Sequence, residues 1–377
     1  MSAALVVLAT VLVLSFIIFV HEAAHYLVAR KAGMKVEEFF LGFGPRLYSW
    51  RRGETEYGVK WILFGGYVKI AGMDPLHPPA EEDLPRTYGA KPMRWRAAVI
   101  LAGPLTHFVL AFIGAWLLVS VVGIPVYGIG VGQVLDSLND RESPAKAAGI
   151  VPGDVIVSVD GKPAEQVDLE QALQDHVDVG QPLHLVIRRD GTDRDVVVTP
   201  VLGPGEDQQM IPRIGVLTSP AIIGRDHLGP VASTKESLVL LADGTTATVQ
   251  GIGRVFSPAG IARTFSQVFG DTPRTVEDPM TFVGITRVVV DFAEQGRVDI
   301  LLQIFVQLNI FVGLLNLVPL PPFDGGHLAI LAIERIRHRK VDMLKVMPVA
   351  AAVLILLVTY MGLVLFLDIF EPLNPGG

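Results

Sequence analysis

The stretch LVLSFIIFVHEAAHYLVARK, residues 12–31, places two histidines and a glutamate at the end of an apolar run. Ionisable groups inside a membrane span are costly and are rarely retained without a partner or a function. His21 and His25 lie four residues apart, so on a helix they project from one face, with Glu22 beside them. This HExxH spacing is typical of zinc hydrolases. The structural alternative is a pair of interfacial histidines that reach the lipid headgroups.

Composition indicates a chain that is embedded, at least in part, in a bilayer. Half of the 377 residues are hydrophobic and only 18% are charged. The net charge of −7, without a basic face or arm, gives no sign of a nucleic-acid partner. The chain has no cysteine, which excludes disulfides and thiolate metal sites. Any metal must therefore be bound by His, Asp or Glu.

Four segments are long enough to span roughly 30 Å of hydrocarbon, which takes about 20 helical residues. They are residues 3–20, continuing into HEAAH, and residues 97–122, 300–320 and 346–370. The first is expected to be an uncleaved span, because no basic residue precedes it and its apolar run is too long for a secretory signal. The predicted fold is a multi-pass α-helical membrane protein with about four transmembrane helices.

The distribution of Lys and Arg predicts the orientation of these spans. Residues 30–96 carry twelve Lys and Arg and the connector at 335–345 carries five, whereas the two tails carry none. The two basic loops are therefore expected in the cytoplasm. Both termini and residues 123–299 then lie outside, and His21 and His25 lie towards the cytoplasmic side of the cell's inner membrane.

The outer segment is expected to contain a compact β-rich domain. GIGVGQVL and VPGDVIVSVDGKP have strand patterns, DLEQALQDHV has helical spacing, and PLHLVIRRDGTDRDVVVTP indicates two strands joined at a DG turn. The run SPAKAAGIVPGDVIVSVDGKP resembles the PDZ signature of bacterial envelope proteases. We therefore place an inserted α+β PDZ domain at residues 123–202, which either binds extended peptide by strand addition or blocks access. Residues 203–299 are predicted to be a linker with amphipathic helices at 235–269 and 282–296.

Two histidines do not complete a catalytic zinc site, which takes three protein ligands and a water. The segment NLVPLPPFDGGH, residues 316–327, places Asp324 among prolines and glycines at the end of the third span. Such irregular backbone is tolerated at membrane depth only where it is buried in protein or lines a watery cavity. A carboxylate there would be costly without a partner, so Asp324 is the candidate third ligand.

Three motifs occur in a specific order. They are the HExxH on the first span, the PDZ-like run between the second and third spans, and NLVPLPPFDGG near the third span. In that order they resemble the site-2 proteases, the intramembrane zinc metalloproteases, in their bacterial RseP-type branch with a single PDZ domain. The resemblance implies Zn²⁺ held by His21, His25 and Asp324. It also implies that Glu22 is the general base and that Asn316 helps to hold unwound substrate.

Two further stretches match this family. FGGYVKIAGM, residues 64–73, is similar to the family's membrane re-entrant β-hairpin, placed here at residues 57–72, and implies substrate contacts at Gly65, Gly66 and Tyr67. AGPLTHF, residues 102–108, resembles the family's Gly-Pro-x-x-Asn pattern but has His107 in place of Asn. His107 is therefore either a hydrogen-bonding substrate contact or a core histidine without a role.

The expected function is zinc-dependent endopeptidase cleavage of single-pass transmembrane proteins, such as anti-sigma factors, after a first cut outside the membrane. Residues 1–122 and 300–377 would form the two halves of the membrane protease core, with the lipid bilayer as surroundings. One alternative is a PDZ-bearing membrane adaptor with a structural or degenerate metal site. Another is a membrane zincin of the prenyl-protein-processing kind, whose third ligand would be a Glu in a downstream helix.

Overall fold

The computed structural model describes residues 3–139, 141–204, 210–275 and 277–373. The chain forms two compact units. The first unit consists of Met1–Leu118 together with Pro230–Gly377, and the second consists of Val119–Gly229. The second unit is thus inserted into the first.

The described residues form ten α-helices. They are α1 (Ala3–Lys31), α2 (Met93–Leu117), α3 (Pro144–Ala147), α4 (Leu169–Val179), α5 (Pro230–Val255), α6 (Pro258–Phe269), α7 (Phe282–Glu294), α8 (Val298–Asn316), α9 (Asp324–Arg337) and α10 (Met343–Phe370). A π-helical turn, Leu118–Val122, follows α2 directly. Short 3₁₀ helices lie at Glu81–Arg86, Tyr88–Ala90 and Ala164–Gln166.

The described residues also form twelve β-strands. They are β1 (Val36–Arg52), β2 (Thr55–Ile70), β3 (Ile124–Val134), β4 (Ser137–Leu138), β5 (Arg141–Glu142), β6 (Val155–Val159), β7 (Lys162–Pro163), β8 (Leu183–Arg189), β9 (Thr192–Val198), β10 (Val201–Pro204), β11 (Met210–Arg213) and β12 (Val216–Asp226). Only β1 and β2 belong to the first unit.

Four helices in the described part of the chain are long and apolar enough to cross a membrane: α1, α2 with its π-helical turn, α8 and α10. They coincide with the four predicted spans, as a multi-pass membrane protein requires. The third helix ends earlier than predicted, at Asn316 instead of residue 320. The reason is the run of prolines at 319, 321 and 322, because proline has no N–H with which to continue a helix.

Small residues allow α2 and α8 to pack closely. A Cβ added to Gly114 of α2 would lie 2.8 Å from the Phe305 ring of α8, and one added to Gly313 of α8 would lie 3.0 Å from His107 Cβ of α2. Ala111 of α2 is fully buried in the same interface. Helices in a membrane associate through such close backbone approach, since lipid tails offer no hydrophobic driving force between them.

The strands β1 and β2 form a long antiparallel hairpin between α1 and α2. Pairing runs from Val36 opposite Ile70 to Arg52 opposite Thr55, with bulges along β1. Gly53, in the left-handed region at φ 66°, makes the turn. The sequence predicted a β region only over residues 57–72, and the structure adds the whole of β1 to it.

The second unit is built on one antiparallel sheet with the strand order β12-β3-β6-β8-β9, and β7 pairs with β6 beside this path. Its core is made of aliphatic side chains that alternate along the strands, including Val131, Ile156, Leu183, Leu185 and Ile187. Asp168 caps the N-terminus of α4, because its carboxylate accepts hydrogen bonds from the N–H groups of Glu170 and Gln171. The predicted strands and helix between residues 128 and 198 are all present.

The second unit extends beyond the predicted boundary at residue 202. The strand β12 pairs with β3 along its whole length, from Val216 opposite Val134 to Asp226 opposite Ile124. Pro220 and Gly224 obscured this strand, because both residues ordinarily indicate turns. Proline is tolerated here because β12 is an edge strand.

A buried ion pair joins β8 to the turn before β6. The Asp154 side chain is fully buried and accepts hydrogen bonds from Arg189 Nε at 2.6 Å, Arg189 Nη2 at 2.7 Å and the Val151 N–H at 2.8 Å. Burial alone would raise the pKa of Asp154, but the guanidinium and the N–H outweigh it and hold the pKa below its usual range. A lowered carboxylate pKa contributes stability above about pH 4 that is lost as the pH falls through the folded-state pKa.

We predict that Asp154→Ala destabilises the second unit by about 2 kcal/mol, because Arg189 and the Val151 N–H lose their acceptor. The loss should shrink in acid, where wild-type Asp154 is also neutral. Hydrogen exchange of the β6 and β8 amides in the full-length protein measures it. The matched control is Asp193→Ala, which removes a half-exposed carboxylate from its ion pair with Arg188 and should change exchange little. Equal protection in both variants would contradict the role given to the buried pair.

Candidate active site and metal centre

The two histidines of the HExxH stretch lie on one face of α1 and meet a carboxylate from α9. His21 Nε2 and His25 Nε2 are 3.1 Å apart. Asp324 Oδ2 lies 3.3 Å from each of these nitrogens. Within the described residues, these three side chains form the group of His, Asp and Glu close enough to hold a metal ion.

The hydrogen bond of His25 fixes which of its nitrogens faces the group. His25 Nδ1 lies 2.7 Å from the Val99 carbonyl oxygen of α2, which can only accept a hydrogen bond. The proton of the neutral ring is therefore on Nδ1, and Nε2 presents a lone pair. Asp324 Oδ2 is buried, and no donor in the described structure hydrogen-bonds to it. A buried acceptor without a donor is costly unless a cation is present.

The spacing of these atoms fits a zinc ion. Bonds of 2.0–2.1 Å in tetrahedral geometry place ligand atoms about 3.3 Å apart. The three separations observed here are 3.1 to 3.3 Å. Two imidazole nitrogens and one carboxylate oxygen also form a common donor set of catalytic zinc, with a fourth position left for water.

The position of Asp324 follows from the break after α8. The chain turns over residues 317–323, and Asp324 is the first residue of α9. A Cβ on Gly325 would collide with the Leu317 and Val318 carbonyls, and one on Gly326 with Pro321. The two glycines therefore let α9 begin against this turn. A carboxylate in a first helical turn is also favoured by the helix dipole.

Gly103 of α2 makes room for the histidines. A Cβ at this position would collide with the imidazole rings of both His21 and His25. The sequence contained Gly103 within the AGPLTHF match but gave no signal that it faces the first span. Only the packing of α2 against α1 shows this.

Glu22 lies next to the three-residue group and outside it. The strand β2 passes directly over this side chain, since a Cβ on Gly66 would lie 2.9 Å from Glu22 Cγ. The glutamate thus faces both the cavity described next and the edge of the hairpin. Glu22 is not one of the three residues that could hold a metal ion, and in an HExxH motif a glutamate outside the ligand set is the expected base.

An apolar cavity of about 740 Å³ leads to the group. His21 and Glu22 are among its lining residues, together with four residues predicted to bind substrate, namely Gly65, Gly66, His107 and Asn316. Tyr67, the fifth, is not among the lining residues. Its hydroxyl donates to Glu38 Oε2 at 2.5 Å, and its ring stacks on Phe40. Tyr67 therefore stabilises the hairpin itself.

The helix α7 forms one wall of this cavity. Phe282, Ile285, Val289 and Ala293 recur at helical spacing and all line the cavity. The sequence predicted an amphipathic helix at 282–296 but gave it no role. Its apolar face identified the helix, but amphipathicity does not reveal what that face covers.

Comparison with known proteins is consistent with this geometry. The model of peptidase family M50 matches residues 9–360. Zinc metalloprotease Rip1 of Mycobacterium tuberculosis is 30% identical over 94% of this chain and 94% of its own length. Zinc metalloprotease Rip1 of Mycolicibacterium smegmatis is also 30% identical, over 94% of each chain. The chain therefore belongs to peptidase family M50, the family of the site-2 proteases.

Proposed function

We propose that this protein is a zinc-dependent endopeptidase that cleaves single-pass membrane proteins within or near their spans. Membership of a peptidase family and the zinc metalloprotease relatives support the enzyme class. The observation that carries the site assignment is the convergence of His21, His25 and Asp324 beside an apolar cavity that His21 lines. These three residues would hold the zinc.

Glu22 would act as general base and then as general acid. When bound, zinc supplies Lewis acidity that activates a water and polarises the scissile carbonyl. Glu22 takes the proton from the attacking water and delivers it to the leaving amine. Glu22 follows His21 on α1 and lines the same cavity as Gly66, where the substrate backbone would lie.

The substrate segment would be held as extended backbone. A transmembrane helix has its carbonyls already hydrogen-bonded, so it must unwind before attack, and the freed N–H and C=O groups then need partners. The β1–β2 hairpin has two strands only, and Gly65 and Gly66 of β2 line the cavity. Strand addition at this edge would supply these partners. Asn316, which also lines the cavity, adds a side-chain amide.

The distal part of the hairpin would lie in the bilayer interface, as a re-entrant element does. Leu47, Trp50 and Trp61 are all exposed there. Arg46 and Arg51 accompany them on β1. Tryptophans with basic side chains are typical of the headgroup region of a membrane.

The second unit would be a PDZ domain that lies outside the membrane and controls which substrates are cleaved. The PDZ-like run and the antiparallel sheet with α4 support this assignment. We propose that it refuses bulky substrates and admits those, such as anti-sigma-factor-like proteins, that another protease has already trimmed outside. Recruitment of substrate through a peptide groove is the competing role.

We predict that Glu22→Gln lowers cleavage of a single-span substrate by roughly 10²- to 10⁴-fold while zinc content stays at the wild-type level, because the glutamate moves protons only. Asp324→Ala should lose zinc and activity together, since two ligands hold zinc poorly. Metal analysis and cleavage assays on the same purified samples test both.

Glu82→Ala, at an exposed acid in the 3₁₀ helix Glu81–Arg86, is the control and should retain both properties. Loss of zinc from Glu22→Gln would refute the base assignment. Full zinc and turnover in Asp324→Ala would place the third ligand elsewhere.

The proposed orientation predicts the labelling of single cysteines, which this cysteine-free chain makes unambiguous. Cysteines at the exposed positions Lys162 and Glu165 should react with a membrane-impermeant thiol reagent on intact cells. Cysteines at Arg52 and Arg339, also exposed, should react only after the membrane is opened. The reverse pattern would place the metal centre towards the outer face.

Excision of the second unit tests its role. Leu228 N lies 3.4 Å from the Val119 carbonyl oxygen, so a short Gly/Ser linker can replace residues 123–228. We predict that the excised protein cleaves untrimmed substrate and cleaves trimmed substrate at the wild-type rate. The control is Glu22→Gln in the excised protein. It should abolish cleavage, which shows that the same active site cuts the substrate. Slower cleavage of trimmed substrate would instead support recruitment.

A further inference from the structure

His107 of α2 lies between a candidate zinc ligand and a buried amide of α8. Its side chain is almost fully buried, at 1% exposure. His107 Nε2 is 3.0 Å from His21 Nδ1, and His107 Nδ1 is 3.3 Å from Asn309 Oδ1. Asn309 Nδ2 in turn donates to the Phe305 carbonyl oxygen at 2.9 Å. The three side chains form one continuous hydrogen-bonded relay.

The far end of this relay determines where each proton lies. The Phe305 carbonyl can only accept, so the Asn309 NH₂ points to it and Asn309 Oδ1 points to His107. His107 must then carry its proton on Nδ1 and present the Nε2 lone pair to His21. His21 therefore carries its proton on Nδ1, and its Nε2 lone pair faces His25 and Asp324.

We propose that His107 and Asn309 are positioning residues that fix the tautomer and ring orientation of His21 for the metal. This inference rests on the proposed function, in which His21 is a zinc ligand. It also assigns His107 a task other than substrate contact. Although the ring borders the cavity, both of its nitrogens are engaged, so it has no free group for a substrate.

The packing of α8 against α2 supports this relay. Asn309 is fully buried within a span, where an amide needs partners for its polar atoms. Gly313 lies one helical turn later on the same face, and its Cβ would be 3.0 Å from His107 Cβ. The absence of a side chain at Gly313 brings α8 close enough for Asn309 to reach the imidazole.

The two histidine ligands are oriented by different means. His25 Nδ1 donates directly to the Val99 carbonyl, a backbone group that side-chain substitution does not remove. Only His21 depends on side chains for its partner. Substitutions in the relay should therefore affect one ligand selectively, and outer partners of this kind typically contribute 10- to 100-fold to metal affinity.

The test is zinc affinity, measured by competition with a chelator on the full-length protein in detergent. His107→Phe keeps a ring but offers His21 no acceptor, and it should weaken zinc binding by roughly 10- to 100-fold. His107→Gln can accept from His21 and donate to Asn309, so it should recover affinity to within about threefold of wild type. Asn309→Leu should weaken zinc binding in the same direction as His107→Phe. The visible spectrum of the Co²⁺-substituted protein should shift in His107→Phe and return in His107→Gln.

Val109→Ala, at an exposed position on α2 two residues away, is the matched control and should bind zinc as wild type does. Unchanged zinc affinity in both His107→Phe and Asn309→Leu would overturn the proposal. Lower turnover with unchanged zinc affinity would also overturn it, since His107 would then contact substrate. If His107→Phe does not fold, Asn309→Leu decides the question. A wild-type protein without zinc affinity would refute the proposed function itself.

Discussion

Three lone pairs that face one another across about 3 Å, in an interior with little water, repel unless a cation lies between them. His21, His25 and Asp324 are in this position, and they come from opposite ends of the chain. The surrounding structure serves to bring them together. Gly103 allows α2 to pass beside the histidines, and the break after α8 turns the carboxylate towards them.

The site was predictable from the sequence where its chemistry is local. The spacing of His21 and His25 alone puts them on one helical face, and a carboxylate among prolines in an apolar segment is conspicuous. Asn309 and the Val99 carbonyl gave no such signal. An amide within an apolar helix has many possible partners, and a backbone oxygen has no signature in the sequence. Their roles follow only from the packing of α1, α2 and α8.

The fold, too, was predictable from the sequence only in part. Apolar runs of about 20 residues identified the four spans, because the thickness of a bilayer leaves few alternatives. The strand β1 escaped detection because Gly42, Gly44 and Pro45 interrupt its pattern, and its bulges accommodate them. The strand β12 was missed because an edge strand tolerates proline, which sequence patterns treat as a breaker.

The contact between His21 and His107 has a consequence for biosynthesis. The helix α2 ends at Leu117 and α8 begins at Val298, so about 180 residues separate them, which takes on the order of 10–40 s to translate. During that interval neither Asn309 nor Asp324 exists. The two imidazoles can nevertheless hydrogen-bond to each other, so each has a polar partner within the membrane before the second half of the chain arrives.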